Sequence, residues 1–311
     1  MGRIATTTPT RTGAPPWQVW LALGTLYLVW GSTYLAIKVA IETLPSLLHA
    51  GVRFVIAGLI VIAVLAVRRR SALSVTRAQL ATVAAVGGLL LLGGNGLVVV
   101  GEEGLASGLA ALIIAAVPLW IVLLRALGGD RPAAATVGGV ALGFAGVAVL
   151  LRPGGGGHSS VGHAAIVLLA SLSWSAGSYL ATRAPMPVNP FTATGLEMLF
   201  GGGALVVAGL LRGELSGFSV SAVSGRSWFA FGYLIVFGSL MAFTAYVWLL
   251  GNAPVSQVAT YAYVNPAVAV VLGALVLGEQ ISLQTIVGGA IILLAVAVVV
   301  AQESRRRADA D

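Results

Sequence analysis

The chain has 311 residues, of which 58% are hydrophobic and 9% charged, and its mean hydropathy is +0.99. Soluble domains carry about 25% charged residues, so a soluble fold of this length is excluded. It has no cysteine, which removes disulfides, thiolate metal sites and cysteine nucleophiles, and its net charge of +7 comes from 17 cations, all but one of them arginine.

A helix of about 20 apolar residues crosses the roughly 30 Å hydrocarbon core of a bilayer. Residues 17–37, 49–67, 80–100, 104–124 and 133–151 form five segments of that kind. A glycine-rich break follows at 153–157, and five more segments occupy 162–182, 191–211, 228–250, 255–277 and 282–301. The expected fold is an all-α integral membrane protein with ten transmembrane helices in two five-helix repeats. Its parts are an N-terminal tail (1–16), a first repeat (17–151), an external loop (152–161), a second repeat (162–301) and a C-terminal tail (302–311). The leader is polar and lacks an apolar stretch ending at a small-residue cleavage site, so the first segment is expected to be a retained helix.

The cations are distributed unevenly. With the N-terminus in the cytoplasm, that side holds arginines 3, 11, 68, 69, 70, 77, 125, 131, 183, 305, 306 and 307, and the opposite side holds Arg152, Arg212 and Arg226. Lys38 and Arg53 lie in or beside segments. The positive-inside rule then places both termini in the cytoplasm. The basic charge therefore reports topology and not a nucleic-acid partner.

The second half repeats the first. Tyr34-Leu35-Ala36-Ile37-Lys38 matches Tyr179-Leu180-Ala181-Thr182-Arg183, with Trp30 and Trp174 just upstream. Gly51-Val52-Arg53 faces Gly195-Leu196-Glu197, Pro118 matches Pro266, and Val137-Gly138-Gly139 matches Val287-Gly288-Gly289, all in order at offsets of 144 to 150 residues. Each repeat has an odd number of segments, so the second enters the membrane inverted. Inverted repeats let a protein form two near-equivalent states, open to opposite sides of one midplane site.

Ionisable side chains inside a bilayer are costly and mark function. Trp30, Tyr34 and Lys38 share one helix face at i, i+4, i+8 spacing. A cation beneath two aromatics suits a substrate with a carboxylate and an apolar body; the alternative is that Lys38 snorkels to the headgroups. Arg53 either pairs with Glu42, Glu102 or Glu103, or anchors substrate. Glu197 is the carboxylate lying clearly within a segment, as a proton-coupling group or as an ion-pair partner of Arg183. His49 starts its segment and is expected to be wetted. Gln257, Tyr261 and Asn265 form a polar stripe ending at Pro266, which kinks the helix and frees the Ala262 carbonyl. The matching segment carries Pro118 between apolar residues, which pairs one polar wall with one apolar wall. Asn95, Trp174, Ser178, Tyr179 and Tyr246 complete the candidate pocket. Gly104-x-x-x-Gly108 and Gly139-x-x-x-Gly143 are close-packing devices.

No phosphate loop is present, since the single lysine, Lys38, has no glycine-rich loop before it. His49, His158 and His163 and the few acids make no metal site, and no cofactor is expected. The stretch Trp30-Gly31-Ser32-Thr33-Tyr34-Leu35-Ala36-Ile37-Lys38, with Arg53-Phe54, Asn265-Pro266 and Leu277-Gly278-Glu279, resembles the EamA-type drug/metabolite transporters over residues 20–300. The first repeat departs from the pattern with Gly129-Asp130-Arg131-Pro132 in place of Gly-Glu. The resemblance implies a ten-helix inner-membrane carrier, often an exporter of amino acids, metabolites or toxic amphipathic compounds. It also implies a central cavity lined by helices 1–4 and 6–9, with helices 5 and 10 peripheral. The reading is a secondary transporter of a small amphipathic solute, with a passive channel or, less favoured, an integral-membrane enzyme as alternatives.

Overall fold

A computed structural model describes residues 14–152 and 161–308. The glycine-rich break, His158, most of the N-terminal tail and the last three residues lie outside the described residues. Ten helical spans carry the chain: α1 (Pro16–Ala40), α2 (Ser46–Arg68), α3 (Arg77–Glu102), α4 (Ser107–Leu127), α5 (Ala134–Leu150), α6 (Val161–Arg183), α7 (Pro190–Leu211), α8 (Gly225–Asn252), α9 (Tyr261–Leu277) and α10 (Leu283–Ala308). No strand occurs among the described residues. Eight of the spans are long and apolar enough to cross a membrane, and α5 and α9 are shorter apolar helices. Leu28, Leu59, Val67, Leu275 and Leu294 are exposed on the outside of the bundle, where lipid takes the place of a protein neighbour.

Local chemistry sets the helix starts. Thr76 and Gln79 form a reciprocal capping box at α3, Asn189 accepts the Phe191 and Thr192 amides ahead of Pro190 in α7, and Ser224 accepts the Ser227 amide in α8. Expected boundaries differ from the observed ones by a few residues, with two consequences. α3 runs on to Glu102 and α10 past Glu303, so two more carboxylates join Glu197 inside helical spans. The ninth segment is not one helix: a single turn (Val255–Val258) precedes α9, and the chain breaks at Ala259–Thr260.

Three helices depart from regular winding, and the chain also breaks just before α9. α3 is π-helical over Gly88–Gly96 and α8 over Leu234–Met241, separated by the repeat offset. α4 breaks at Ala115–Ala116, just before Pro118, whereas Pro266 lies within the continuous α9. Proline cannot donate to the carbonyl four residues earlier, which frees Ile114 in one case and Ala262 in the other.

Small residues bring counterpart helices together. In the α2–α7 contact a Cβ on Gly202 would lie 2.9 Å from Phe54 Cβ and 3.0 Å from the Gly51 carbonyl, and a Cβ on Gly51 would lie 2.8 Å from the Gly202 carbonyl. In the α5–α10 contact a Cβ on Gly146 would stand 3.1 Å from the Gly288 carbonyl. Gly108 and Gly143, from the two small-residue motifs, likewise lie under Val270 and Leu119. Backbone on the far side leaves Gly202 no room to relax. Gly202→Val is therefore expected to destabilise the protein by about 1–3 kcal/mol, read as a lower thermal midpoint in detergent. Gly203→Ala, which meets nothing within 4 Å, serves as the neutral control.

Candidate functional site

A cavity of about 570 Å³ occupies the middle of the bundle, within the range of small-molecule sites. Trp30 is the hub of its aromatic wall. Its ring centroid lies 5.4 Å from Phe243, 5.3 Å from Tyr246 and 5.3 Å from Tyr261, and Tyr246 and Tyr261 meet edge-on at 5.9 Å. Tyr34 lies one turn further along α1, and Trp174 stands against Gly94 in the π-helical part of α3. The polar lining includes Thr33, Arg53, Asn95 and Asn265, with Arg125, Glu303 and Ser304 toward the end of α10, and the irregular stretches around Ala115, Pro118, Ala259 and Pro266 all reach this space.

Of the expected pocket residues, Trp30, Tyr34, Asn95, Trp174, Tyr246, Tyr261 and Asn265 line the cavity, as do Pro118, Pro266 and Arg53. Lys38, Ser178, Tyr179 and Gln257 do not. The Lys38 ammonium donates to the backbone carbonyls of Glu102 and Leu105 (2.8 Å to the latter), so it ties α1 to the α3–α4 turn and faces no ligand space. Tyr179 packs its hydroxyl on Gly128 and its ring under Arg183 (5.2 Å). The Gln257 carbonyl accepts the Thr260 hydroxyl, and its backbone belongs to the turn before the α9 break. Pro118 and Pro266 also act differently, since one interrupts a helix and the other sits within one.

The ionisable groups need more correction. Arg53 is buried and forms no salt bridge with the expected carboxylates: Glu42 lies 3.8 Å from Arg226, Glu103 pairs with Arg212 at 2.8 Å, and the enclosed Glu102 acts on Arg53 only electrostatically, from beyond 4.0 Å. Arg53 Nη2 instead donates to Asn95 Oδ1 at 3.0 Å. Arg183 is exposed and does not reach Glu197, which makes no hydrogen bond or ion pair among the described residues. Glu197 also lies outside the cavity, and α7 contributes no lining residue, whereas the end of α10 contributes Val299, Val300, Glu303 and Ser304. The expectation that helix 7 lines the cavity and helix 10 is peripheral is thus reversed. His49 is buried, not wetted, with Nδ1 on the Pro45 carbonyl.

Helix alternation separates the bundle into a terminal end, where α1 starts and α10 finishes, and a far end. The cavity extends toward the terminal end, to Arg125, Pro254 and Glu303. There Arg125 pairs with Asp130 (2.8 Å) and with Glu303.

Comparison with known proteins places this geometry. The EamA-like transporter family model matches residues 16–152 and again 163–301. The chain belongs to the EamA-like transporter family. It is 39% identical over 263 residues to the uncharacterized inner membrane transporter YedA of Escherichia coli strain K12, covering 84% of this chain and 83% of YedA. It is 29% identical over 216 residues to a probable terminal-alkyne amino-acid exporter of Streptantibioticus cattleyicolor, covering 68% and 69%. A solved crystal structure superposes with a TM-score of 0.62 over 94% of this chain and 99% of its own, at 22% identity, which is a likeness of fold.

In this EamA-like protein the second repeat caps helices of the first at the far end. Glu214 follows Gly213 (φ +75°) after α7 and accepts the Leu47 amide at 2.9 Å and the Leu48 amide at 3.0 Å at the start of α2. Glu279 follows Gly278 (φ +66°) after α9 and accepts the Ser107 amide at 2.7 Å and the Gly108 amide at 3.1 Å at the start of α4. In each case a glycine in the left-handed region turns the chain so that a carboxylate meets two unpaired helix N–H groups and the positive end of a helix dipole. Partial burial raises the pKa of Glu103, but hydrogen bonds and charge from Arg212 outweigh it and the net shift is downward. Its contribution is therefore complete at neutral pH and lost as pH falls through the lowered pKa. The Gly213-Glu214 cap was legible as a second copy of Gly278-Glu279. The burial of Glu102, which is fully enclosed with neither carboxylate oxygen hydrogen-bonded, was not legible.

The absence of native cysteine permits a background-free test of whether these caps close the far end. Val98→Cys places a thiol on the cavity wall. Adding Glu279→Gln, which loses one acceptor of the cap, is expected to raise labelling by an impermeant maleimide applied at the far end several-fold. An unchanged rate would mean that the cap does not hold the end shut.

Proposed function

We propose that this protein is a secondary carrier that exports small amphipathic solutes across the bacterial inner membrane by alternating access, with aromatic or apolar amino acids and toxic compounds as the leading substrates. The observation that carries the reading is a central cavity with aromatic and polar walls that extends toward the terminal end, while inter-repeat caps stand at the far end. The arginine bias assigns the terminal end to the cytoplasm, so the described state is inward-facing. The inverted repeat supplies the outward-facing counterpart by exchanging the roles of the two halves. The amino-acid exporter among the relatives supports the direction and the substrate class.

Counterflow in proteoliposomes is the decisive experiment. Accumulation of labelled amino acid driven by unlabelled substrate inside is expected; flux without counterflow would make the protein a passive facilitator. Trp30→Ala and Tyr261→Ala each remove a ring from the aromatic wall and are expected to weaken apparent affinity about tenfold or more. Unchanged kinetics in both variants would move the site elsewhere.

Proton coupling is assigned to Glu197, a half-buried intramembrane carboxylate without a counter-ion. Glu197→Gln is expected to abolish dependence on a pH gradient while counterflow persists. Gradient-driven transport that survives the change makes Glu197 structural.

A further inference from the structure

Arg53 is the buried cation for which no structural role has emerged. It lies two turns into α2, 3% exposed, on the cavity wall. Its Cζ stands 4.2 Å from the ring centroid of Phe54, and Asn95 accepts one Nη2 hydrogen at 3.0 Å. Nε and Nη1 have no hydrogen-bond partner, and no carboxylate among the described residues lies within 4.0 Å of the guanidinium. The enclosed Glu102 carboxylate acts on the guanidinium through space but does not pair with it, and a guanidinium stays charged in a protein, so burying it with two N–H-bearing nitrogens unpaired is costly.

The rest of the lining does not neutralise it. Arg125 is already matched by Glu303 and Asp130 at the terminal end. Asn95 presents its oxygen and holds the guanidinium in place. Because Nη2 carries two hydrogens and Asn95 engages one, an edge of two parallel N–H groups stays open, either Nε with Nη2 or Nη1 with Nη2. That edge matches the two oxygens of a carboxylate. The buried, unpartnered Asn265 Oδ1 lies on the same cavity and offers an acceptor for a donor elsewhere on the ligand.

We propose that Arg53 is the anion-recognition point of the cavity, and that the solute is an organic carboxylate whose apolar body lies against the Trp30–Tyr246–Tyr261 wall. Asn95 is a positioning residue that orients the guanidinium. Neutral analogues lack the paired oxygens that match the guanidinium edge, and organic cations meet a like charge in a water-poor space. The inference rests on the carrier reading and narrows it to solutes bearing a carboxylate.

The test is binding to the purified full-length chain, read by thermal shift and tryptophan quenching. Two matched sets serve as probes: phenylpropionate, phenylpropionamide and phenethylamine, and hexanoate, hexanamide and pentylamine. The carboxylates are expected to bind at least tenfold more tightly than their amides and amines. In Arg53→Gln the carboxylate should fall to the level of the amide. Arg53→Lys, which keeps the charge and loses the fork, should restore part of the difference. If Arg53→Gln does not fold, the comparison on the unaltered chain decides. Equal binding of acid and amide, preference for the amine, no binding by any probe, or acid selectivity retained in a folded Arg53→Gln variant would overturn the proposal. Counterflow of a neutral or cationic solute would remove this inference and leave the carrier standing. Selective carboxylate binding with no counterflow for any solute would do the reverse.

Discussion

Inside hydrocarbon no water satisfies a free amide or carbonyl, and each unpaired group costs several kcal/mol. The whole architecture answers to that constraint. Each departure from regular winding borders the cavity at one of its residues. The α4 break, the chain break before α9, Gly94 and Asn95 in α3 and Gly238 in α8 all border the same space. A carrier needs polar groups at its centre, and the bilayer tolerates irregular backbone only there. Cavity and irregularity are two aspects of one requirement.

The same constraint operates at the helix ends. The starts of α2 and α4 lie inside the protein at the far end, where their first amides lack partners. Glu214 and Glu279 supply those partners from the other repeat, each delivered by a glycine in the left-handed region. A cap between repeats satisfies the backbone and joins the two halves at once. Such a joint can be undone as a unit, because separating the repeats uncovers a carboxylate and a helix end that water can both solvate. A hydrophobic seal at the same place would expose apolar surface when it opened.

Pseudo-symmetry in the fold coexists with asymmetry in the chemistry. α2 and α7 are counterparts packed through Gly51 and Gly202, yet one brings Arg53 into the cavity while Glu197 on the other stays outside it. Pro118 interrupts its helix, and Pro266 lies within an unbroken one. Trp30 gathers three aromatic rings, whereas Trp174 lies against the glycine at position 94. A single conformation must break the symmetry of an inverted repeat, since one end is open and the other closed. The divergent side chains exploit that difference.

Segment count, repeat order, helix caps and the burial of aromatic and polar residues near the centre follow from local pattern, because twenty apolar residues, a proline or an Asn-Pro start act within a few turns of their own position. Seven of the eleven expected pocket residues consequently line the cavity. Partner choice follows from the tertiary structure, because it depends on which helix end or guanidinium comes within a few ångströms of a side chain. Lys38 binds carbonyls at the α3–α4 turn, Arg53 binds Asn95 and no acid, and Glu102 is enclosed by a helix end two residues longer than its apolar pattern. The exchange of α7 for α10 in the lining has the same origin. Both helices are apolar along their length, and only the packing of five helices against five selects which of them reaches the centre.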